Sequence, residues 1–235
     1  RPAAPPTAAP QGAVKPQARM KASSAVQRIE QELEQTTELD TVEWCFAGAA
    51  NPTAWKPAPP LHRARKMQNA VVLPDGSILV VGGVRSLAHP YVLVPELYKG
   101  NQWHEQPQHV SPRDYHSTAL LLPDGRVLSA AGDKRTFDYQ IFRPHYLTSG
   151  GERPVITDAP ADLAYLSESP VVRHVSIAPL ARGVAASVVL VRPGSVTHHN
   201  DYDQRYIVLP SGNGSTTGID FGAPGTSNDA PRGYY

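Results

Sequence analysis

Tyr115 and His116 are neighbouring residues whose side chains could do chemistry together, because a phenol and an imidazole can both bind a metal or move a proton. They stand just before an apolar stretch, residues 120–122, that is predicted to be a β-strand. Neighbouring side chains of a regular strand point to opposite faces. We therefore expect an irregular chain at this pair if both side chains reach one ligand. A lone Tyr-His pair at a strand edge is more often structural, so a functional interpretation needs a second motif.

A turn with a clear chemical basis follows this strand at Pro123-Asp124-Gly125. Proline presets φ, aspartate can bond to its own backbone, and glycine accepts a positive φ. The chain returns as a strand from Val127. The pair is thus predicted to lie at the end of a hairpin, on a loop edge where functional groups are common.

The hairpin occurs twice in the sequence. Two Leu-Pro-Asp-Gly turns begin at Leu73 and Leu122, 49 positions apart, and Trp55 and Trp103 precede them 48 positions apart. A period near 50 with a double glycine after an apolar strand and one tryptophan per unit is typical of kelch β-propeller blades. Two units are visible, whereas propellers need at least about four blades. The propeller is therefore predicted to be incomplete, with both tryptophans in blade cores.

Composition argues against several classes of function. The chain has 22 basic and 21 acidic residues and no basic stripe, so nucleic acid is not an expected partner. No apolar run approaches the roughly 18–20 residues needed to span a membrane. Cys45 is the only cysteine, which excludes an internal disulfide, and we interpret it as a small buried hydrophobe. No secretory signal is visible at the start of the sequence.

The segment from Arg113 to Val127 closely resembles the copper-radical oxidases of the galactose oxidase and glyoxal oxidase type. In that family the Tyr-His pair of the R-x-Y-H-S-T-A-L-L-L-P-D-G-R-V segment supplies two copper ligands. The resemblance therefore implies that Tyr115 and His116 bind copper. Imidazole nitrogens and a phenol oxygen suit Cu(II).

A second segment, Thr197-His198-His199-Asn200-Asp201-Tyr202-Asp203-Gln204-Arg205, resembles the family's T-H-x-x-N-x-D-Q-R loop. The histidine of that loop is the third ligand and comes from the last domain. The resemblance implies His198 as this ligand, with His199 as the competing residue. Asp201 stands where the family has asparagine, which leaves the details of the loop open.

The resemblance also implies a mechanism. The tyrosine at the position of Tyr115 is a weak axial ligand and takes the substrate hydroxyl proton. A second tyrosine, cross-linked to a cysteine, stores a radical, and electrons return through copper to O2 to give H2O2. That tyrosine and cysteine lie upstream in the family, and Cys45 does not match their position. The Tyr-Cys cofactor is therefore expected to be absent from this chain, which alone should be inactive.

The predicted fold is all-β. Residues 1–40 are a Pro/Ala-rich arm with a short helix at residues 24–33, and residues 41–148 are kelch blades of an incomplete propeller. Residues 149–235 resemble the immunoglobulin-like early-set domain of these oxidases, lacking its last strand. Strands of this sandwich are predicted at residues 154–156, 171–177, 185–191 and 205–209.

Three interpretations of function remain open at this point. The first is a fragment of a copper-radical oxidase that acts on a primary alcohol or aldehyde, with the missing blades of its own full-length protein as partner. The second is a non-catalytic kelch and early-set protein that binds a carbohydrate or a surface. The third is a truncated piece, partly folded or assembled with other chains. An extracellular or cell-surface location is expected, and the substrate class is a small alcohol, an aldehyde or a carbohydrate.

Overall fold

The computed structural model describes residues 40–44, 56–85, 91–133, 137–169, 171–183, 185 and 187–235. The helix predicted at residues 24–33, Cys45 and Trp55 lie outside the described residues. The described elements in chain order are β1 (Val42–Trp44), β2 (Lys56–Ala58), β3 (Asn69–Val72), β4 (Ile78–Val81), β5 (Glu96–Lys99), β6 (Gln102–Glu105), β7 (Thr118–Leu121), β8 (Val127–Ala130), β9 (Tyr139–Phe142), α1 (His145–Thr148), β10 (Ile156–Asp158), β11 (Arg173–Ile177), β12 (Val188–Arg192), β13 (Val196–Thr197), β14 (Asn200–Asp201), β15 (Arg205–Leu209) and β16 (Gly218–Phe221).

The first Leu-Pro-Asp-Gly segment is the tight turn of an antiparallel hairpin, as predicted. It joins β3 to β4, and the Gly76 N–H donates to the Leu73 carbonyl at 2.9 Å. The Asp75 carboxylate accepts the Ser77 N–H at 3.1 Å, which is the local bond expected of aspartate in a turn. Gly76 has a φ of 78°, a conformation that favours glycine. β5 and β6 extend this hairpin into a four-stranded sheet in the order β3-β4-β5-β6, called the first sheet below.

The second Leu-Pro-Asp-Gly segment repeats this geometry. It joins β7 to β8, the Gly125 N–H donates to the Leu122 carbonyl at 2.9 Å, and Gly125 has a φ of 84°. β9 adds a third strand to give the second sheet, β7-β8-β9. The prediction that both turns are hairpin turns is confirmed.

The two sheets share one hydrophobic core. Val71, Leu79 and Val81 of the first sheet and Ala119 and Val127 of the second belong to a single cluster of buried side chains. Within β4, Leu79 and Val81 alternate with Val80, which is buried on the opposite face, so they share one face of the strand. β3 and β7 lie next to each other in this arrangement.

Trp103 lies in a second small cluster, as expected for a core residue. It is buried against Leu61 and Val80, and its indole N–H donates to the Pro59 carbonyl at 2.8 Å. A buried indole needs such a partner for its N–H.

Each sheet is also organised by a buried arginine. The Arg65 guanidinium donates to the Gly82 carbonyl and forms a buried ion pair with Glu96. Arg113 donates in the same way to the Ala131 carbonyl. Gly82 and Ala131 are equivalent positions of the two units, so the two arginines play the same role.

The C-terminal part of the chain forms two further sheets, β10-β11-β16 and β12-β15. They enclose a core in which Val175, Ile177, Leu209, Ile219 and Phe221 are buried. Two open antiparallel sheets around one core match the sandwich expected here. The described part of the chain is therefore all-β, in agreement with the predicted fold class.

The strands predicted in this region are found at the predicted positions, but their ends differ from the prediction. The first three predicted strands correspond to β10, β11 and β12, with ends displaced by at most three residues, and the fourth coincides with β15. β16 has no counterpart among the predictions, because glycine at Gly218 and aspartate at Asp220 interrupt its apolar pattern. None of the described helices is long and apolar enough to cross a membrane.

Candidate metal centre

Tyr115 and His116 occupy the centre of a β-turn. The turn runs from Asp114 to Ser117, and the Ser117 N–H donates to the Asp114 carbonyl at 2.9 Å. The chain leaves this turn directly into β7. The turn supplies the irregularity that the sequence required, since it places both rings on one side with centroids 4.3 Å apart.

One carboxylate holds the imidazole of His116. The Asp133 side chain bonds to His116 Nδ1, and the Asp133 N–H donates in turn to the buried Asp114 carboxylate at 2.6 Å. A carboxylate that accepts from Nδ1–H leaves Nε2 of the same ring with a free lone pair. His116 is thus oriented by its neighbours to present Nε2 as a ligand atom.

A second tight turn carries the other two histidines. β13 and β14 pair with Thr197 opposite Asn200, so His198 and His199 are the two residues of a hairpin loop. Their φ angles are 52° and 58°. A two-residue loop with both φ angles positive has the form of a type I′ turn, where glycine and asparagine are the preferred residues. Non-glycine residues held this way cost of order 1–3 kcal/mol each and concentrate at functional sites.

Asp201 fixes the base of this hairpin. Its carboxylate accepts the backbone N–H groups of Ser195, Asp203 and Gln204 at 3.0–3.2 Å. An added Cβ on Gly194 would lie 2.1 Å from Oδ2 of Asp201, so a larger residue at position 194 would displace this carboxylate. The departure from asparagine at position 201 therefore has a simple explanation, because the role needs only a side-chain oxygen that accepts hydrogen bonds.

The two turns bring their rings together. Tyr115 lies 5.4 Å from His198 and 5.7 Å from His199 between ring centroids, and His116 lies 5.1 Å from His198. The structure thus places the predicted residues Tyr115, His116 and His198 in one cluster, although β13 is far from β7 in sequence. His199 lies at the same cluster.

His198 and His199 differ in what their ring nitrogens do. Nδ1 of His198 lies 2.8 Å from the Thr197 hydroxyl, which leaves its Nε2 available, and the residue is exposed. His199 is half-buried, and its Nδ1 has no hydrogen-bond partner among the described residues. Burial lowers the pKa of His199. Both histidines therefore have a ring nitrogen without a partner in the described part of the chain, and they differ in that His198 is exposed and His199 is half-buried.

The donor set fits a copper ion. His116 and His198 each have one ring nitrogen bonded to a neighbour and one to offer, and the phenol of Tyr115 lies beside both rings. Two imidazole nitrogens and a phenol oxygen are ligands of the kind that Cu(II) accepts. Among the residues with described placement, however, no three His, Cys, Asp or Glu side chains are arranged to hold one ion without a tyrosine.

Sequence reasoning missed the Asp133 and Asp114 supports, although the repeat carries a signal for them. Asp133 stands at the position of Val84 in the first unit, 49 residues earlier. Four residues separate Arg113 from β7, whereas three separate Arg65 from β3. The added residue and the new carboxylate both fall at the site, so a position-by-position comparison of the units would have marked them.

The sequence of this chain is similar to those of several known proteins. Residues 153–235 match the family model described as "Galactose oxidase-like, Early set domain". A galactose oxidase from Gibberella zeae is 36% identical over 192 residues, which cover 74% of this chain and 27% of that protein. An aldehyde oxidase from Arabidopsis thaliana is 30% identical over 207 residues, covering 73% of this chain and 33% of that protein.

A solved structure shows the same similarity. A fungal alcohol oxidase of the AA5 family, in complex with copper, superposes with a TM-score of 0.70 at 25% identity and covers 84% of this chain and 44% of that one. The chain spans only about a quarter to a third of the length of the curated relatives named above.

Proposed function

Because the chain carries a galactose oxidase-like early-set domain and is homologous to galactose oxidase, we propose that it is part of a copper-radical oxidase. The proposed reaction oxidises a primary alcohol or an aldehyde with O2 and gives H2O2. The observation that supports this most is the convergence of Tyr115, His116 and His198 from two turns that are 82 residues apart in sequence.

In this proposal Tyr115, His116 and His198 are the copper ligands of the chain. Copper, when bound, supplies a one-electron redox centre for the transfer of electrons to O2. Tyr115 is the group that accepts the proton of the substrate hydroxyl, because a phenolate oxygen beside the bound alcohol can act as a general base. His116 keeps its orientation through Asp133, so that Nε2 continues to face the cluster.

The remaining redox group is proposed to lie outside this chain. A two-electron alcohol oxidation needs a second electron acceptor, which in the family is a tyrosine cross-linked to a cysteine. Cys45, the only cysteine of the sequence, precedes both hairpins and does not match that position. We therefore expect this chain alone to bind copper weakly and to show no turnover.

The proposed assembly follows from the two sheets. Residues 41–148 are proposed to be kelch-type blades of a propeller that further blades of the full-length protein complete, and residues 149–235 the early-set domain. An extracellular or cell-surface location is part of the same proposal. The small alcohol, aldehyde or carbohydrate substrate would then reach the cluster between the two turns.

The test compares the chain with the full-length gene product. Both are loaded with Cu(II) and assayed for H2O2 with galactose, methylglyoxal and simple primary alcohols. The full-length protein should turn over, its His198→Ala variant should not, and its His104→Ala variant, altered on an exposed outer strand, should keep activity. If the full-length protein gives no H2O2 with any of these compounds and retains no copper, a non-catalytic binding protein is the better interpretation.

A further inference from the structure

Gln204 lies five residues after the His198-His199 turn and makes two hydrogen bonds to a strand of the other domain. Its Nε2 donates to the Ala70 carbonyl and its Oε1 accepts the Val72 N–H, both at 2.8 Å. These partners are 134 and 132 residues away in sequence. Both belong to β3, which is the edge strand of the first sheet.

The geometry is that of a strand added to a sheet edge. An edge strand presents a row of outward N–H and C=O groups, alternating along the chain, that a neighbouring strand would normally pair. The carboxamide of Gln204 offers one donor and one acceptor, as a peptide unit does. It therefore caps the Ala70–Val72 portion of the edge in the way a single residue of a partner strand would.

A second amide fixes the other turn to the same strand. Nδ2 of Asn69, the first residue of β3, donates to the Ser117 hydroxyl at 2.9 Å, and both residues are buried. Ser117 closes the turn that holds Tyr115 and His116. β3 is thus bonded at its start to one ring-bearing turn and along its edge to the loop that follows the other.

We propose that Asn69 and Gln204 are positioning residues, and that β3 is the common reference that sets the spacing between the Tyr115-His116 turn and the His198-His199 turn. The inference rests on the proposed function, because it concerns the same cluster of rings. Neither amide touches that cluster through any described contact. Both act through the backbone that they hold.

The substitution that isolates this role is Gln204→Met, which keeps the length of the side chain and removes both hydrogen bonds. Gln204→Glu is the partial variant, since it keeps an acceptor for Val72 and places an oxygen against the Ala70 carbonyl. Gln106→Met is the matched control, because Gln106 also donates to two backbone carbonyls, those of His104 and Glu105, at the outer strand of the first sheet.

The first measurement needs no metal. In the wild-type chain, ring protons of His116 and His198 should give a nuclear Overhauser effect, since their centroids lie 5.1 Å apart. Gln204→Met should lose this effect and should speed hydrogen exchange at the Val72 amide about tenfold or more. Gln106→Met should change neither, and the β11–β16 amides should stay protected in all variants, which shows that the domain remains folded.

The second measurement adds Cu(II) and follows paramagnetic broadening of the same ring signals. Wild-type chain should lose the His116 and His198 signals together, and Gln204→Met should need about 10–100 times more copper to lose both, the range found for groups that orient metal ligands. An unchanged ring-to-ring effect in a folded Gln204→Met variant would overturn the positioning role. If the wild-type chain shows the ring-to-ring effect but no response to copper, the copper site would be overturned, whereas the positioning role of Gln204 would be retained.

Discussion

At the scale of single residues, the His198-His199 turn combines two demands that conflict. The loop geometry favours asparagine and glycine, whereas the cluster needs an imidazole. The exposed position of His198 means that little packing offsets the strain of its φ of 52°. Replacing such a residue is therefore expected to raise the stability of the chain and to impair its function.

We predict that His198→Asn stabilises the chain by about 0.5–1 kcal/mol while it removes a proposed copper ligand, because asparagine adopts a positive φ more readily. Urea unfolding with and without Cu(II) measures both effects. His104→Asn is the control, since His104 is also exposed but lies in regular strand β6. If His198→Asn instead destabilises the chain, the positive φ of His198 does not strain the turn.

A buried histidine away from the site predicts a pH dependence. Burial, and secondarily the charge of Arg113, lower the pKa of His109 from 6.5 to about 4. Between these values the unfolded chain binds a proton that the folded chain does not, so stability should fall as the pH falls from 6.5 towards 4. At pH 5 the loss from this residue should be about 1–2 kcal/mol.

The measurement is urea unfolding at pH 7.5 and pH 5. His109→Gln should lose less stability than the wild type over this interval, because glutamine does not titrate. Equal losses in the two proteins would mean that His109 is protonated in the folded chain. Its Nδ1, which is buried without a hydrogen-bond partner among the described groups, would then have a partner in solution.

At the scale of elements, the two sheets provide different partners for their equivalent buried arginines, Arg65 and Arg113. In the first sheet Glu96 pairs with Arg65 and accepts the N–H groups of His62 and Arg63. In the second, Gln140 takes over the corresponding bonds to Val110 and Ser111 but carries no charge.

The consequence falls on the arginine of the second sheet. Arg113 pairs instead with the half-exposed Asp138 at 3.0 Å. Its Nε and Nη2 are buried without a hydrogen-bond partner in the described part of the chain. The second sheet therefore lacks the buried carboxylate that completes the first.

We predict opposite effects for reciprocal changes. Glu96→Gln should destabilise the chain by about 3 kcal/mol or more, because it leaves the Arg65 charge buried and unpaired. Gln140→Glu should stabilise it by about 1 kcal/mol, because the new carboxylate can accept the free N–H groups of Arg113. Thermal unfolding of the two single variants and the double variant provides the comparison. A destabilising Gln140→Glu would mean that Asp138 already satisfies the arginine.

Much of this architecture was predictable from the sequence, for identifiable reasons. The turns at Leu73 and Leu122 follow from local chemistry, since Pro, Asp and Gly each specify one feature of the turn. The pair Tyr115-His116 was recognisable from its position before β7. By contrast, β16 was not predicted, and the Gln204 bonds to β3 join residues more than 130 positions apart, which no local pattern encodes. The choice between His198 and His199 likewise depends on how far the fold buries each ring, which no local pattern encodes.

At the scale of the whole molecule, the C-terminal part of the chain contacts the first sheet through β3 and the turn that follows it. The ring of Tyr206 covers the first hairpin turn, where an added Cβ on Gly76 would lie 3.3 Å from it. Within the N-terminal part, Tyr146 of α1 covers the second turn in the same manner, and its hydroxyl donates to the Gly125 carbonyl at 2.5 Å. Burial raises the pKa of Tyr146, so that hydroxyl remains a donor over the usual pH range.

We predict that this contact makes the described part of the chain unfold as one unit. Amide signals of β3 and β4, which report on the first sheet, and amide signals of β11 and β16 should show the same thermal midpoint. Tyr206→Ala should separate the two transitions, because it uncovers the Gly76 turn, whereas the exposed Tyr202→Ala should leave them together. Separate midpoints in the wild type would mean that the first sheet and the C-terminal sheets are stabilised independently.

The one-residue difference between the two arginine-to-strand segments has a consequence for how such a centre arises. The first unit has the shorter segment and Val84, so the molecule contains the same hairpin both with and without the Tyr-His turn and its carboxylate. The difference should therefore be graftable from the second unit to the first. A Tyr-His turn inserted after Arg65, with Val84→Asp, would ask whether this loop length and one acid suffice to found a second imidazole site.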